Sequence, residues 1–122
     1  MKSEKQKMLD GELYKPWDSE LVKEREQARY LTRLFNQIIE TDNDNRVQTI
    51  KQLFGTAGKS VYIEPDFRCD YGYNIHVRDN FFANFYCVIL DVCEVRFGEN
   101  CMLGPGVHIY TAAHPVNPFE RN

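Results

Sequence analysis

Residues 74–110 read NIHVRDNFFANFYCVILDVCEVRFGENCMLGPGVHIY, and one spacing runs through them. Val77, Ala83, Ile89, Val95, Cys101 and Val107 fall six residues apart without a slip. A second track, Phe97, Leu103 and Ile109, runs beside the first, and a third takes in Ile75, Phe81, Cys87 and Cys93. Simple alternation of apolar and polar residues would give hairpins. A sustained six-residue period points instead to a parallel β-helix, in which each short edge sends apolar side chains into a shared core. Three edges of six residues predict a triangular coil of 18 residues, which would stack Cys69 directly on Cys87. Gly72, Gly98, Gly104 and Gly106, with Asn74, Asn80 and Asn100, fall near the corners, where tight turns often need positive φ.

The period changes before Gly58. In DSELVKEREQARYLTRLFNQIIE, residues 18–40, the apolar residues Leu21, Ala28, Leu31, Phe35 and Ile38 recur at threes and fours. That is one buried stripe of a helix. Asp18 is its N-cap, and Pro16 stops it starting earlier. A second helix fits RVQTIKQLFG, with Val47, Ile50, Leu53 and Phe54 on one side and Gly55 as its stop. TDNDN between them reads as a turn, and the charged outer faces read as solvated surface. The chain therefore divides into a helical segment (1–57), coils of β-helix (58–110) and a terminal loop (111–122) with the sequence TAAHPVNPFERN.

Composition narrows the function. Formal charge is −3, from 15 basic and 18 acidic residues with no long basic block, which argues against nucleic acid as a partner. No apolar run reaches membrane-span length, and MKSEKQKM lacks a signal peptide's apolar segment, so the expected location is the cytoplasm. The four cysteines form no CxxC pair, so they read as small buried residues and no metal is expected. His76 and His108 are flanked by inward-pointing residues, which turns both imidazoles outward.

With the repeat and its corners in hand, the chain resembles the maltose and galactoside O-acetyltransferases. KMLDGELYKPWDSEL is similar to that family's helical opening, YIEPDFRCDYGYNIHVRDNFFANFYCVILDV to its first coils, and FGENCMLGPGVHIYTAAHPVNP to its histidine-bearing segment. The resemblance implies a left-handed β-helix, a working homotrimer with active sites between subunits, acetyl-CoA as co-substrate and a small sugar as acceptor. It also implies that the family continues past this sequence with further coils, which line much of the acetyl-CoA channel. On that ground the sequence reads as a fragment of a longer enzyme or as a truncated product with impaired catalysis, and a non-catalytic β-helix remnant with a binding role is the rival expectation. A zinc-dependent β-helix enzyme of the carbonic anhydrase type is a further one, which the sugar-acetyltransferase motifs oppose.

By the same resemblance, His114 is the general base. A neutral imidazole can take the proton of a sugar hydroxyl as it attacks an activated thioester. Asn84, in FFANF, corresponds to an acceptor-site asparagine, whose amide can both donate to and accept from sugar oxygens. Asp70 and Asp91 are acceptor-site candidates, although the family's best-matched acidic position next to Asp91 holds Val92 here. Phe82 stands where galactoside-type members have a tyrosine, offering a ring face to the sugar. Tyr71, Tyr73 and Asp18 could also reach the site, each with an ordinary structural role as the alternative. No Ser-His-Asp arrangement is visible, which favours direct transfer over an acyl-enzyme.

Overall fold

The computed structural model describes residues 1–111. Three helices precede the β region: α1 (Glu4–Leu9), α2 (Ser19–Gln37) and α3 (Asn43–Leu53). Asp18 caps α2 as its sequence predicts, its side chain accepting from the backbone N–H of Glu20 and Leu21. Leu21, Ala28, Leu31 and Phe35 are buried along one stripe, while Ile38 is the C-cap and only half-buried. The start of α3 differs from the expectation. Asp42 accepts from the Asn45 N–H, so the second half of TDNDN forms the helix's first turn and the connection is shorter than composition suggested. Its stop is where expected: Phe54 is the C-cap and Gly55 follows it, the Gly55 N–H donating to Ile75 O at 2.9 Å.

The described β region comprises nine short strands in three parallel sheets. One sheet is β1 (Thr56–Ala57), β4 (Ile75–Val77) and β7 (Val95–Phe97). A second is β2 (Tyr62–Ile63), β5 (Phe82–Ala83) and β8 (Met102–Leu103). The third is β3 (Arg68–Cys69), β6 (Val88–Leu90) and β9 (His108–Tyr110). Consecutive strands therefore occupy successive faces of a prism, the pattern of a left-handed parallel β-helix. Phe67, Phe81, Ile75, Ala83, Cys87 and Ile89 fill its interior with almost no exposure. Ala28, Leu31 and Phe35 of α2, with Ile50 and Leu53 of α3, join the same core and so cover the first coil.

The register corrects the coil length. Ile75 pairs with Val95, Phe82 with Met102 and Val88 with His108, so each coil takes 20 residues, not 18. Two edges take six residues and the third takes eight, because the corners after β3 and β6 each carry two extra residues. Cys69 consequently stands beside Ile89, not Cys87. The inward positions of one strand lie two residues apart, as Ile75 and Val77 do, and the insertion is also two. Counting by six thus slides from the Val77–Ala83–Ile89 column into the Val95–Cys101–Val107 column, which lies over Ile75, Phe81 and Cys87. The unbroken six-fold run joins two different columns. Cys93 belongs to neither: it sits on the long corner, its Sγ 3.3 Å from Met8 O.

Corner geometry follows the 20-residue repeat. Ser60, Asn80 and Asn100 share one corner and all have φ near +60°, with Asn80 Nδ2 donating to Asn100 Oδ1 at 2.9 Å. Tyr86 and Gly106 share the next corner, also at positive φ. Gly98, Gly104 and Asn74 turn without positive φ, contrary to expectation. Gly72 on the long corner needs its lack of a side chain twice over. Its φ is +84°, and an added Cβ would lie 2.5 Å from both the carbonyl oxygen and Cδ1 of Leu53. Gly72→Ala is expected to destabilise the fold by about 2–4 kcal/mol, read as a lowered midpoint in urea. Gly104→Ala, whose Cβ meets nothing within 4 Å, is expected to stay within about 0.5 kcal/mol of the parent.

Candidate functional site

The long corner after β3, residues 70–74, carries the densest polar chemistry. Asp70 follows the last residue of β3 and is half-buried. Its neighbour in the next coil, Asp91, is completely buried. Asp91 Oδ1 accepts from the N–H groups of Asp70 (3.1 Å) and Tyr71 (2.9 Å), and Oδ2 accepts from the Asn74 N–H at 3.2 Å. Asn74 closes the clasp, its Nδ2 donating to the carbonyls of Asp91 (2.8 Å) and Val92 (3.2 Å). Burial pushes the Asp91 carboxyl up to about 6, against the lowering effect of those backbone donors. Asp91 is therefore corrected from sugar ligand to corner clasp. A sugar hydroxyl has no exposed carboxylate oxygen to reach there, and both oxygens are engaged by the backbone that bears Asp70.

Asp70 itself faces the helices. Burial raises its carboxyl above the ordinary range, and the guanidinium groups of Arg29 and Arg25 oppose the shift. Arg25 fixes the loop before α2 to the corner, its Nη1 donating to Tyr71 Oη at 2.7 Å and its Nη2 to Pro16 O at 2.6 Å. Tyr73 donates to Glu24 Oε1 at 2.7 Å, and Lys5 both pairs with Glu24 at 2.8 Å and lies 4.5 Å from the Tyr73 ring centre. These charged side chains dock the helices onto the corner, which corrects their reading as solvated surface. Tyr71 and Tyr73 serve that docking, 5.3 Å apart ring to ring, and Asp18 serves as a helix cap.

Phe82 and Asn84 lie elsewhere. Phe82 is on β5, facing outward and stacked on Tyr62 with ring centres 5.8 Å apart and planes within 5°. Asn84 begins the next corner: its N–H donates to Leu103 O at 3.0 Å, and its Oδ1 accepts from the Phe85 N–H at 2.8 Å. One whole edge of the prism, six residues of near-extended chain or roughly 20 Å at most, separates this corner from the one that carries the Asp70–Asp91 clasp. Asn84 and Asp70 thus stand at the two ends of one prism edge. His114 lies outside the described residues.

The outward histidines are as the alternation predicts. His76 Nδ1 is 3.0 Å from Thr56 Oγ1, and His108 Nδ1 is 3.2 Å from Tyr110 Oη. Burial raises the Cys69 thiol well above its ordinary value, so it is poorly suited to act as a nucleophile. Among the described residues, no helix is long and apolar enough to cross a membrane.

Known proteins match this architecture closely. Residues 7–58 match the maltose acetyltransferase hexapeptide capping motif, the segment that here covers the first coil. A Dictyostelium discoideum protein that bears the name of an acetyltransferase is 48% identical over 120 residues, 98% of this chain and 62% of that protein. The crystal structure of a maltose O-acetyltransferase from Clostridium difficile superposes with a TM-score of 0.94 at 52% identity, covering 99% of this chain and 65% of that one. A hexapeptide-repeat acetyltransferase of Vibrio cholerae, solved in complex with acetyl coenzyme A, superposes at 0.85 with 32% identity, over 99% of this chain and 65% of that one. The chain thus spans a little under two thirds of these relatives. On its capping motif and its likeness to these relatives, it belongs to the maltose and galactoside O-acetyltransferase family of hexapeptide-repeat proteins.

Proposed function

We propose that this chain carries the acceptor side of an acetyl-CoA-dependent sugar O-acetyltransferase. The observation that carries this reading is the 52% identity and 0.94 TM-score with a maltose O-acetyltransferase. The donor assignment is supported by the Vibrio cholerae relative complexed with acetyl coenzyme A and by a galactoside acetyltransferase solved with coenzyme A. In this reading His114 takes the proton of a sugar hydroxyl while the hydroxyl oxygen attacks the thioester carbonyl carbon. The C–S bond then breaks, and the imidazolium returns the proton to the departing sulfur. Asp70 accepts from sugar hydroxyls, Asn84 bonds sugar oxygens through its amide, and Phe82 packs against the ring.

The separation of Asn84 and Asp70 by a prism edge supports a trimer whose sites lie between subunits. Each site takes one corner from each of two neighbours. A functional site therefore needs two chains.

Mass-spectrometric detection of acetylated glucose, maltose or galactoside, formed by this chain from acetyl-CoA, tests the reaction. Mixing tests the shared site. Asp70→Ala and Asn84→Ala are each expected to lose most product, and a co-refolded equimolar mixture to regain about a quarter of parental activity, because about a quarter of sites then receive both intact corners. No product from the parent chain together with no binding of any of the three sugars would sink the acceptor reading. A mixture no better than either variant would sink the shared site.

A further inference from the structure

Beside Asp70, α2 and the third sheet leave a cleft of about 650 Å³. Arg29 and Arg33 line it from α2, one helical turn apart, and Arg68, Asp66 and Asp70 line it from the coil. The balance of paired and unpaired charge across this cleft is uneven. Arg68 is satisfied by Asp66, with Nε 3.3 Å from Oδ2. Arg29 and Arg33 have no carboxylate within ion-pair distance among the described residues. Arg33 lies over the Tyr30 ring at 5.5 Å, and Arg29 acts on Asp70 only as a nearby charge. Asn36, also on this wall, is spent on the backbone, bonding both the N–H and the carbonyl of Phe67. Among the described residues, the cleft thus presents two exposed guanidinium groups outside ion-pair distance of any carboxylate, with Arg29 near enough to Asp70 to act on it as a charge.

We infer that this cleft selects an acidic saccharide: Asp70 takes hydroxyls at one end, while Arg29 and Arg33 take a carboxylate or phosphate carried by the same molecule. The inference rests on Asp70 being an acceptor-site residue, and it extends that reading from neutral sugars to anionic ones. Guanidinium groups suit such anions because their planar donors pair with two oxygens at once and stay charged at all working pH values. The volume is ample for a hexose with its charged substituent, within the range of small-molecule sites. Because both arginines are exposed, the attraction is of the screened kind and falls with salt.

The test is calorimetric binding of three probes to the full chain: methyl glucoside, methyl glucuronide and glucose 6-phosphate. Either anion is expected to bind about 10-fold more tightly than the neutral glucoside in 20 mM salt, with the advantage shrinking at 500 mM. In Arg29→Gln/Arg33→Gln the ratio is expected to fall to about one. The glucuronide and phosphate arms separate the two anion chemistries, and an advantage in either supports the cleft. A parental ratio near one, absence of binding by all three probes, or an anion advantage retained in the double variant each overturns it. Because the readout is binding, a chain that forms no acetylated sugar yet keeps the anion advantage would refute the transferase reading while sustaining this one.

Discussion

Asp91→Ala is expected to destabilise the chain by about 3 kcal/mol at pH 7, lowering the thermal midpoint by on the order of 10 °C. The cost does not come from a lost salt bridge, because Asp91 has none among the described residues. It comes from three backbone N–H groups, those of Asp70, Tyr71 and Asn74, that lose their acceptor. Leaving buried donors unpaired costs more than the bonds themselves contribute. The effect has a pH signature with a definite sign. Burial raises the folded-state carboxyl from 3.8 to about 6, so folding draws a proton onto Asp91 between those values. The stability linked to that proton is fully present below the unfolded value and is lost as pH rises through 6. The gap between parent and Asp91→Ala should therefore narrow between pH 4 and 7, measured by urea denaturation at each pH. A gap that widens over that range would mean that the N–H donors, not burial, dominate the carboxyl.

The same clasp explains where the sequence was legible and where it misled. The fold class was legible because inward positions must be apolar whatever the coil length, and Ile75, Phe81, Cys87 and Ile89 say so directly. Coil length was not. It is set by the two-residue insertion at the long corner, and that insertion equals the spacing between the two inward positions of a strand, so the count by six survives it. The signal that could have exposed the slip was Asp91 itself, an acidic residue at an apolar position between Leu90 and Val92. Such a residue demands backbone donors, and the 20-residue register supplies them from Asp70, Tyr71 and Asn74. Helix docking was less legible still. Nothing in the spacing of Glu24, Arg25, Tyr71 and Tyr73 says that they meet, because contacts 46 and 49 residues apart depend on how α2 crosses the prism. Their charges looked like an ordinary solvated face.

The candidate site was legible as residue types and not as a place. Asp70, Phe82 and Asn84 are read from sequence as acceptor-site residues; the structure puts Phe82 on β5 and Asp70 and Asn84 at two different corners. A chain read alone contains no symmetry operator, so the shared site proposed above could not be assembled from its own register.

His114→Ala carries the largest expected effect on activity, a loss of about 10²–10⁴-fold in kcat for acetyl transfer. Three readouts distinguish loss of a base from loss of fold. The thermal midpoint should change little. The acceptor KM should also change little, because in the proposed site Asp70 and Asn84 are what hold the sugar, so the loss falls on kcat. The parental pH–rate profile should rise through the ordinary imidazole range near 6.5, and the variant's residual rate should lack that rise. The acetyl donor is already an activated thioester, so the obstacle is the protonated hydroxyl, and removing its proton acceptor should be felt in full. A His114→Ala chain that keeps more than about a tenth of parental kcat would assign proton removal elsewhere. The two described histidines, His76 and His108, both face outward on strands, each with Nδ1 beside a hydroxyl. Either could be tested next by the same measurement. A variant that lost kcat together with its thermal midpoint would instead give His114 a structural role.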